Sequence, residues 1–274
     1  MPKFLGAIRA EHQMVEQIVR DQGIDVIISD NRYGCWSGKI RSIFLTHQVK
    51  IPMPVGFGWS SSWVNYYSRR AIQQFAEVWI PDQPGSGLTD YFMSDDVHNI
   101  RYIGWLSRFE ARRGVARKYE IVALVSGPEP QRSIFEGKIS SQLLELGLKA
   151  LLVAGEPQRP YRTMEGCLER VNHLGGQELE DAILSSDIVI SRSGYSTIMD
   201  LMALGKKAIF IPTTGQPEQL YLAKYLDEQR IAVAMNMNDF SIKLALEKSV
   251  GYRGLTGFDR KGNLLSKAID TLLP

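Results

Sequence analysis

Three short segments hold the residue types that could grip a phosphorylated ligand. In the first, an apolar run ending at Ser191 passes through Arg192, Ser193 and Gly194 into a helical pattern that starts at Tyr195. A strand that feeds through Ser-Gly into a helix leaves the first backbone N–H groups of the helix without intrahelical acceptors. It also sets the positive end of the helix dipole at the strand's C-terminal edge, which makes an anion site. Gly194 lets an anion come close to the backbone. Asp200 follows Gly194 by six residues, about 1.7 helical turns, where a carboxylate can accept hydrogen bonds from ribose hydroxyls. The second segment, Thr213 to Gln219, follows a strand-like run and Pro212, and is dense in hydrogen-bonding groups, among them Gln216, Glu218 and Gln219. The third, Ser126-Gly127-Pro128-Glu129-Pro130-Gln131-Arg132, follows the run Ile121–Val125, with Pro130 suited to a first helical turn. A lone Ser-Gly turn is equally what an ordinary helix cap looks like. The recurrence of such loops after neighbouring strands favours a site.

The elements that would position these loops alternate along the chain. Apolar runs occur at Ile24–Ser29, Ile43–Thr46, Val78–Ile80, Ile121–Val125, Ala150–Ala154, Ile188–Ile190, Ala208–Ile211 and Ile231–Ala234. Most are apolar on consecutive positions, the pattern of strands buried on both faces of a parallel sheet. Helical patterns cover Pro130–Leu146, Gln177–Ser185, Tyr195–Leu204, Glu218–Glu228 and Phe240–Lys248. The alternation predicts an α/β fold of βαβ units. A charged, aperiodic stretch within Gly104–Gly114 marks a boundary, which gives a first lobe over 1–106, a second over 107–256 and a terminal helix over 257–274. The chain opens in a helical pattern from Phe4, with no strand before it.

Composition narrows the function. The 274 residues are 44% hydrophobic, and 32 Lys+Arg against 30 Asp+Glu leave a net charge of +2. No basic run reads as a nucleic-acid track, so nucleic acid is not expected as a partner. Two cysteines, Cys35 and Cys167, can build neither a disulfide framework nor a paired thiolate metal site, and a cytoplasmic location fits. No metal-ligand spacing is present. No apolar run reaches membrane-spanning length and no signal-peptide core is present.

The block Ser191-Arg192-Ser193-Gly194, Asp200, Ala203-Leu204-Gly205, Pro212, Gln216, Glu218-Gln219 and Ala223 resembles the nucleotide-sugar half of GT-B glycosyltransferases. More narrowly it resembles family 28, which includes the lipid-linked muramyl-peptide N-acetylglucosaminyltransferase. The likeness is strongest over 119–225. It implies two Rossmann-like lobes, the N-terminal one lacking its opening strand and glycine-rich loop. It also implies that Ser193 and Gly194 hold the diphosphate, that Ser126 and Gly127 fall on the family's glycine-rich turn after the first strand of that domain, and that Arg192 stands among the donor-binding residues. Asp200 would take the ribose hydroxyls, where the family has Glu. Glu218 and Gln219, beside Gln216, would fall on the family's Gln-Gln pair that grips the donor sugar. His173 would lie in the backbone segment that reads the base.

On the first lobe, Asp30–Ser37 resembles the family's acceptor-side loop with fewer glycines, and Thr46-His47-Gln48 sits where the family has a His-containing turn. His47 is one of four histidines and the candidate general base for an acceptor hydroxyl. A hydrogen-bonded structural histidine is the alternative. His12 and His98 read as surface residues, and Cys35 has no partner motif for nucleophilic chemistry. The aromatic and basic stretch Pro52–Arg70 could meet a lipid-linked acceptor at the inner membrane face. The favoured alternative is that Trp63 and Tyr67 pack into their own lobe.

The implied reaction is metal-independent transfer of a sugar from a nucleoside-diphosphate (UDP-type) donor, a substrate rather than a cofactor, to a hydroxyl acceptor. Two other readings remain open: a GT-B-like nucleotide-sugar epimerase or hydrolase, and a non-catalytic donor-binding subunit that needs a partner to complete its first lobe.

Overall fold

The computed structural model describes residues 2–53, 56, 58–85, 87–112, 114–158, 160–256 and 264–272. The chain divides into two compact units, one made of Met1–Leu106 with Arg260–Pro274 and the other of Ser107–Asp259.

The first unit begins with α1 (Pro2–Gln22) and continues through β1 (Val26–Asp30), β2 (Arg41–Leu45), α2 (Ser61–Ile72), β3 (Glu77–Ile80) and β4 (Ile100–Tyr102). Its four strands form a parallel sheet in the order β1-β2-β3-β4. One face packs Phe44, Ile72, Phe75, Val78 and Ile80. The other packs Ile43, Trp79 and Ile103 with Ala268, which belongs to the last helix. The strand β4 escaped the sequence pattern because Ile-Arg-Tyr is not an apolar run and all three residues are only half-buried.

The helix α1 clamps the loop after β1. A Cβ on Gly34 would lie 2.4 Å from the Ile8 carbonyl oxygen, so only glycine allows that approach. Glu11 accepts two hydrogen bonds from Arg32, at 2.9 and 2.6 Å. His12 stacks on Trp36, with ring centroids 4.1 Å apart, and its Nδ1 lies 3.0 Å from the Trp36 carbonyl oxygen. The expectation that His12 is a free surface residue is therefore corrected: it is half-buried in this clamp.

The second unit contains β5 (Tyr119–Leu124), α3 (Gln131–Leu146), β6 (Ala150–Val153), β7 (Arg162–Glu165), β8 (Leu168–Val171), α4 (Gly176–Leu184), β9 (Ser186–Ser191), α5 (Tyr195–Ala203), β10 (Lys207–Phe210), α6 (Pro217–Glu228), β11 (Val233–Ala234) and α7 (Ile242–Ser249). The seven strands run in the order β11-β10-β9-β5-β6-β8-β7, parallel except where β7 turns back on β8. Val122, Leu152, Val189, Ile190, Ile209 and Phe210 are almost fully buried, as runs covered on both faces must be. The β7–β8 hairpin was missed because Arg-Thr-Met-Glu is exposed throughout and carries no apolar period. The terminal helix α8 (Leu264–Asp270) belongs to the first unit rather than standing apart; residues 257–263 and 273–274 of the expected terminal segment lie outside the described residues.

Candidate functional site

In the second unit β10, β9 and β5 are neighbours, and each hands over to a helix at the same edge of the sheet. The N-termini of α3, α5 and α6 therefore gather at the C-terminal ends of three adjacent parallel strands, the place where open α/β sheets take ligands. Their first-turn N–H groups and dipole ends make this edge positive.

The side chains expected at the cradle spend their hydrogen bonds on holding its loops. The hydroxyl of Ser193, fully buried, donates to the Gln219 carbonyl at 2.8 Å, which ties the start of α5 to the first turn of α6. The Gln219 side chain accepts from the Thr213 N–H at 2.8 Å and donates to Gln216 Oε1 at 2.6 Å. Gln216 caps α6 by position, with Pro217 at its first turn. Ser193 is buried with its backbone, whereas Gly194, Gln216 and Gln219 are partly exposed. Gly194 has an ordinary extended conformation (φ −72°), so no unusual backbone torsion demands glycine there. A Cβ would meet only Thr197 Oγ1, at 4.0 Å, so the position is open space. Ser126 and Gly127 are exposed after β5, and Gly127 has φ +115°, a conformation glycine adopts readily. Glu218 is half-exposed on the first turn of α6.

Arg192 is only 4% exposed. Its Nη1 donates to the Ile211 and Pro212 carbonyls at 3.0 and 3.2 Å, and its Nη2 to the Gln131 carbonyl at 3.1 Å. The guanidinium lies over the Phe135 ring, 4.0 Å from its centroid. Burial pushes its pKa down to about 10. Arg192, expected among the donor-binding residues, thus has its guanidinium sealed among the three loops.

Asp200 is half-buried on α5. Its Oδ1 accepts from the Ser107 hydroxyl at 2.8 Å, the chemistry a ribose hydroxyl would supply. Arg108 Nε stands 3.7 Å from Oδ2. Burial raises the Asp200 carboxyl above the ordinary carboxylate range, while Ser107 and Arg108 work against that rise. Ser107 and Arg108 were missed because the stretch around them reads as a charged linker; a hydroxyl and a cation just before the second lobe were the only signal.

His173 is exposed in the loop between β8 and α4, beside a cavity of about 400 Å³ that Tyr161, Asn172 and Leu174 also line. Asn172 holds this loop, accepting from the Tyr161 N–H at 3.3 Å and donating to the Glu156 carbonyl at 3.1 Å.

In the first unit, His47 follows β2 and is half-buried. The buried Thr46 hydroxyl receives the Gln48 N–H at 3.0 Å and fixes the turn that carries it. Burial raises the Cys35 thiol, which disfavours a thiolate nucleophile. The expectation that Trp63 packs inward is wrong: α2 buries Asn65, Ser68 and Ile72 instead. Asn65 is held inside by bonds to both the N–H and the carbonyl of Ile51. Trp63 is 64% exposed, and Trp59, Tyr66 and Tyr91 are exposed as well. Among the described residues no group of three or more His, Cys, Asp or Glu side chains is placed to hold a metal ion, and no helix is long and apolar enough to cross a membrane.

Comparison with known proteins places this arrangement. Residues 176–250 match the glycosyltransferase family 28 C-terminal domain. The UDP-N-acetylglucosamine–N-acetylmuramyl-(pentapeptide) pyrophosphoryl-undecaprenol N-acetylglucosamine transferase of Sulfurihydrogenibium is 30% identical over 133 residues, 46% of this chain and 37% of that protein. The enzyme of the same name from Pasteurella multocida is 27% identical over 217 residues, 74% of this chain and 54% of that protein. The chain thus spans about a third to a half of the length of these relatives. Among solved structures, the kitacinnamycin glycosyltransferase superposes with a TM-score of 0.64 at 16% identity, over 96% of this chain and 80% of that one. MurG of Acinetobacter baumannii superposes with a TM-score of 0.58 at 13% identity, over 98% and 78%. The chain therefore has the GT-B fold, and its residues 176–250 match the glycosyltransferase family 28 C-terminal domain.

Proposed function

We propose that the chain is a glycosyltransferase that moves a sugar from a nucleoside-diphosphate donor, of the UDP type, to an acceptor hydroxyl. The observation that carries this reading is the Ser193–Gly194 turn, with open space at Gly194 and three helix N-termini at one sheet edge. In this reading the diphosphate rests on the partly exposed Gly194 turn, which the buried Ser193 fixes in place, and on the exposed backbone of Ser126 and Gly127. The ribose hydroxyls replace Ser107 on Asp200. Gln216, Glu218 and Gln219 shape the sugar end, and the His173 loop reads the base.

Chemically, the acceptor oxygen forms a bond to the anomeric carbon as the bond from that carbon to the diphosphate breaks. The electron pair leaves with the nucleoside diphosphate, and the acceptor proton passes to His47. Helix ends and backbone N–H groups stabilise the developing negative charge without a metal ion. The acceptor is lipid-linked in this reading, and the exposed Trp59, Trp63 and Tyr66, on α2 or just before it, support a peripheral contact with a membrane surface.

The test is incubation of the full chain with UDP-N-acetylglucosamine, with and without polyprenyl-linked acceptors. UDP release that requires acceptor supports transfer. UDP release together with free sugar in the absence of acceptor favours a hydrolase. Binding without turnover favours a donor-binding subunit, and absence of binding to any nucleotide sugar refutes the donor site.

A further inference from the structure

Arg192 is a buried cation without a counter-anion. Among the described residues it forms no ion pair, and its Nε is buried with no hydrogen-bond partner. Its three partners are carbonyls, which solvate the guanidinium but do not neutralise it. The neighbouring fields make matters worse: α3, α5 and α6 all begin at this edge, so their dipole ends add to its charge. A second unspent polar atom sits at the same junction, the buried hydroxyl of Thr213, next in sequence to the Pro212 carbonyl that Arg192 binds. A buried charge ordinarily has a partner of opposite sign. Among the described residues no anion stands against this charge, directly before the Ser193–Gly194 turn.

We propose that the missing counter-charge is the ligand's: Arg192 is a positioning residue that binds the donor's diphosphate through space, by its buried charge, while holding the three loops together. This rests on the donor reading above. It goes further in assigning discrimination between phosphorylated and unphosphorylated nucleosides to a side chain that the ligand never touches. The low-polarity surroundings that make the charge costly to the free protein also keep its field from being screened.

The experiment is calorimetric titration of the full chain with UDP and with uridine, on the wild type and on Arg192→Met and Arg192→Lys. The wild type should prefer UDP. Arg192→Met should weaken UDP binding roughly tenfold or more while uridine binding stays within about twofold. Arg192→Lys keeps the charge and loses the fork, so it should melt at lower temperature yet retain most of the UDP-to-uridine preference. An equal loss of both ligands in Arg192→Met would mean a purely structural role and overturn the inference. Should that variant not fold, loss of the preference in folded Arg192→Lys would overturn it and retention would support it. A wild type that binds neither ligand would refute the donor reading, and the inference with it.

Discussion

The two units solve the problem of presenting chemistry in different ways. In the second, polar side chains at the sheet edge are tied down: Ser193 and Arg192 are buried on loop carbonyls, and the partly exposed Gln216 and Gln219 bond to each other and to the Thr213 N–H. In the first, side chains are presented directly. His47 stands on a turn fixed by a threonine hydroxyl, and Trp59, Trp63 and Tyr66 face solvent. Its edge strand β1 also leaves Ile28 49% exposed, and Met14 and Ile18 on α1 are exposed too. Under the proposed function the difference teaches that an invariant group such as a diphosphate can be met by helix ends and fixed charge, whereas a particular acceptor calls for displayed side chains.

The largest expected effect probes the second unit's interior. Phe135 is fully buried and carries the Arg192 guanidinium. Phe135→Ala should cost about 3–5 kcal/mol in urea denaturation and weaken nucleotide binding together with stability. Retained stability would mean that the packed edge is not what holds the loops. Next comes His47→Ala, which should lower transfer by about 10²–10⁴-fold in a product assay while donor affinity by calorimetry stays unchanged. A matching loss of donor affinity would erase the division of labour between the units.

Gln219→Ala strands the Thr213 N–H and releases Gln216, and should cost about 1–3 kcal/mol in donor binding. Asp200→Ala should weaken nucleotide binding by a similar 1–3 kcal/mol; unchanged binding would remove the ribose role. Asp200 also predicts a pH effect. Its folded pKa is raised, so the native state holds this proton more tightly than the unfolded chain. That favours folding at acid pH, and the advantage is lost as pH rises through the folded pKa. Asp200→Asn should therefore raise the melting temperature at pH 7, with the gain shrinking as pH falls into the acid range. The smallest effect belongs to the first unit's surface: Trp63→Ala should leave the melting temperature unchanged and reduce sedimentation with anionic vesicles.

What the sequence revealed follows the same division. The buried strands of the second unit are legible because consecutive Ile and Val positions admit few other readings. The three-residue β4 and the exposed β7 lack that signal, since both are held by strand pairing, to β3 and to β8, rather than by an apolar run. The Ser193–Gly194 turn was legible as a place, but the inward use of Arg192 was not, because nothing in the local pattern tells which way a guanidinium points. The inward packing of Trp63 was misjudged because an aromatic pair four residues apart suggests a buried face. The buried face of α2 instead runs through Asn65 and Ser68, held by the Ile51 backbone and the Tyr33 hydroxyl.

The central claim is that a nucleoside-diphosphate sugar binds to the second unit's strand-to-helix loops. Hydrogen–deuterium exchange of the full chain with and without UDP-N-acetylglucosamine tests it most directly. Protection should rise over Ser193–Asp200, Thr213–Gln219 and Ser126–Arg132, with the strands of the first unit unchanged. Protection confined to the first unit, or none with saturating nucleotide sugar, would contradict the account.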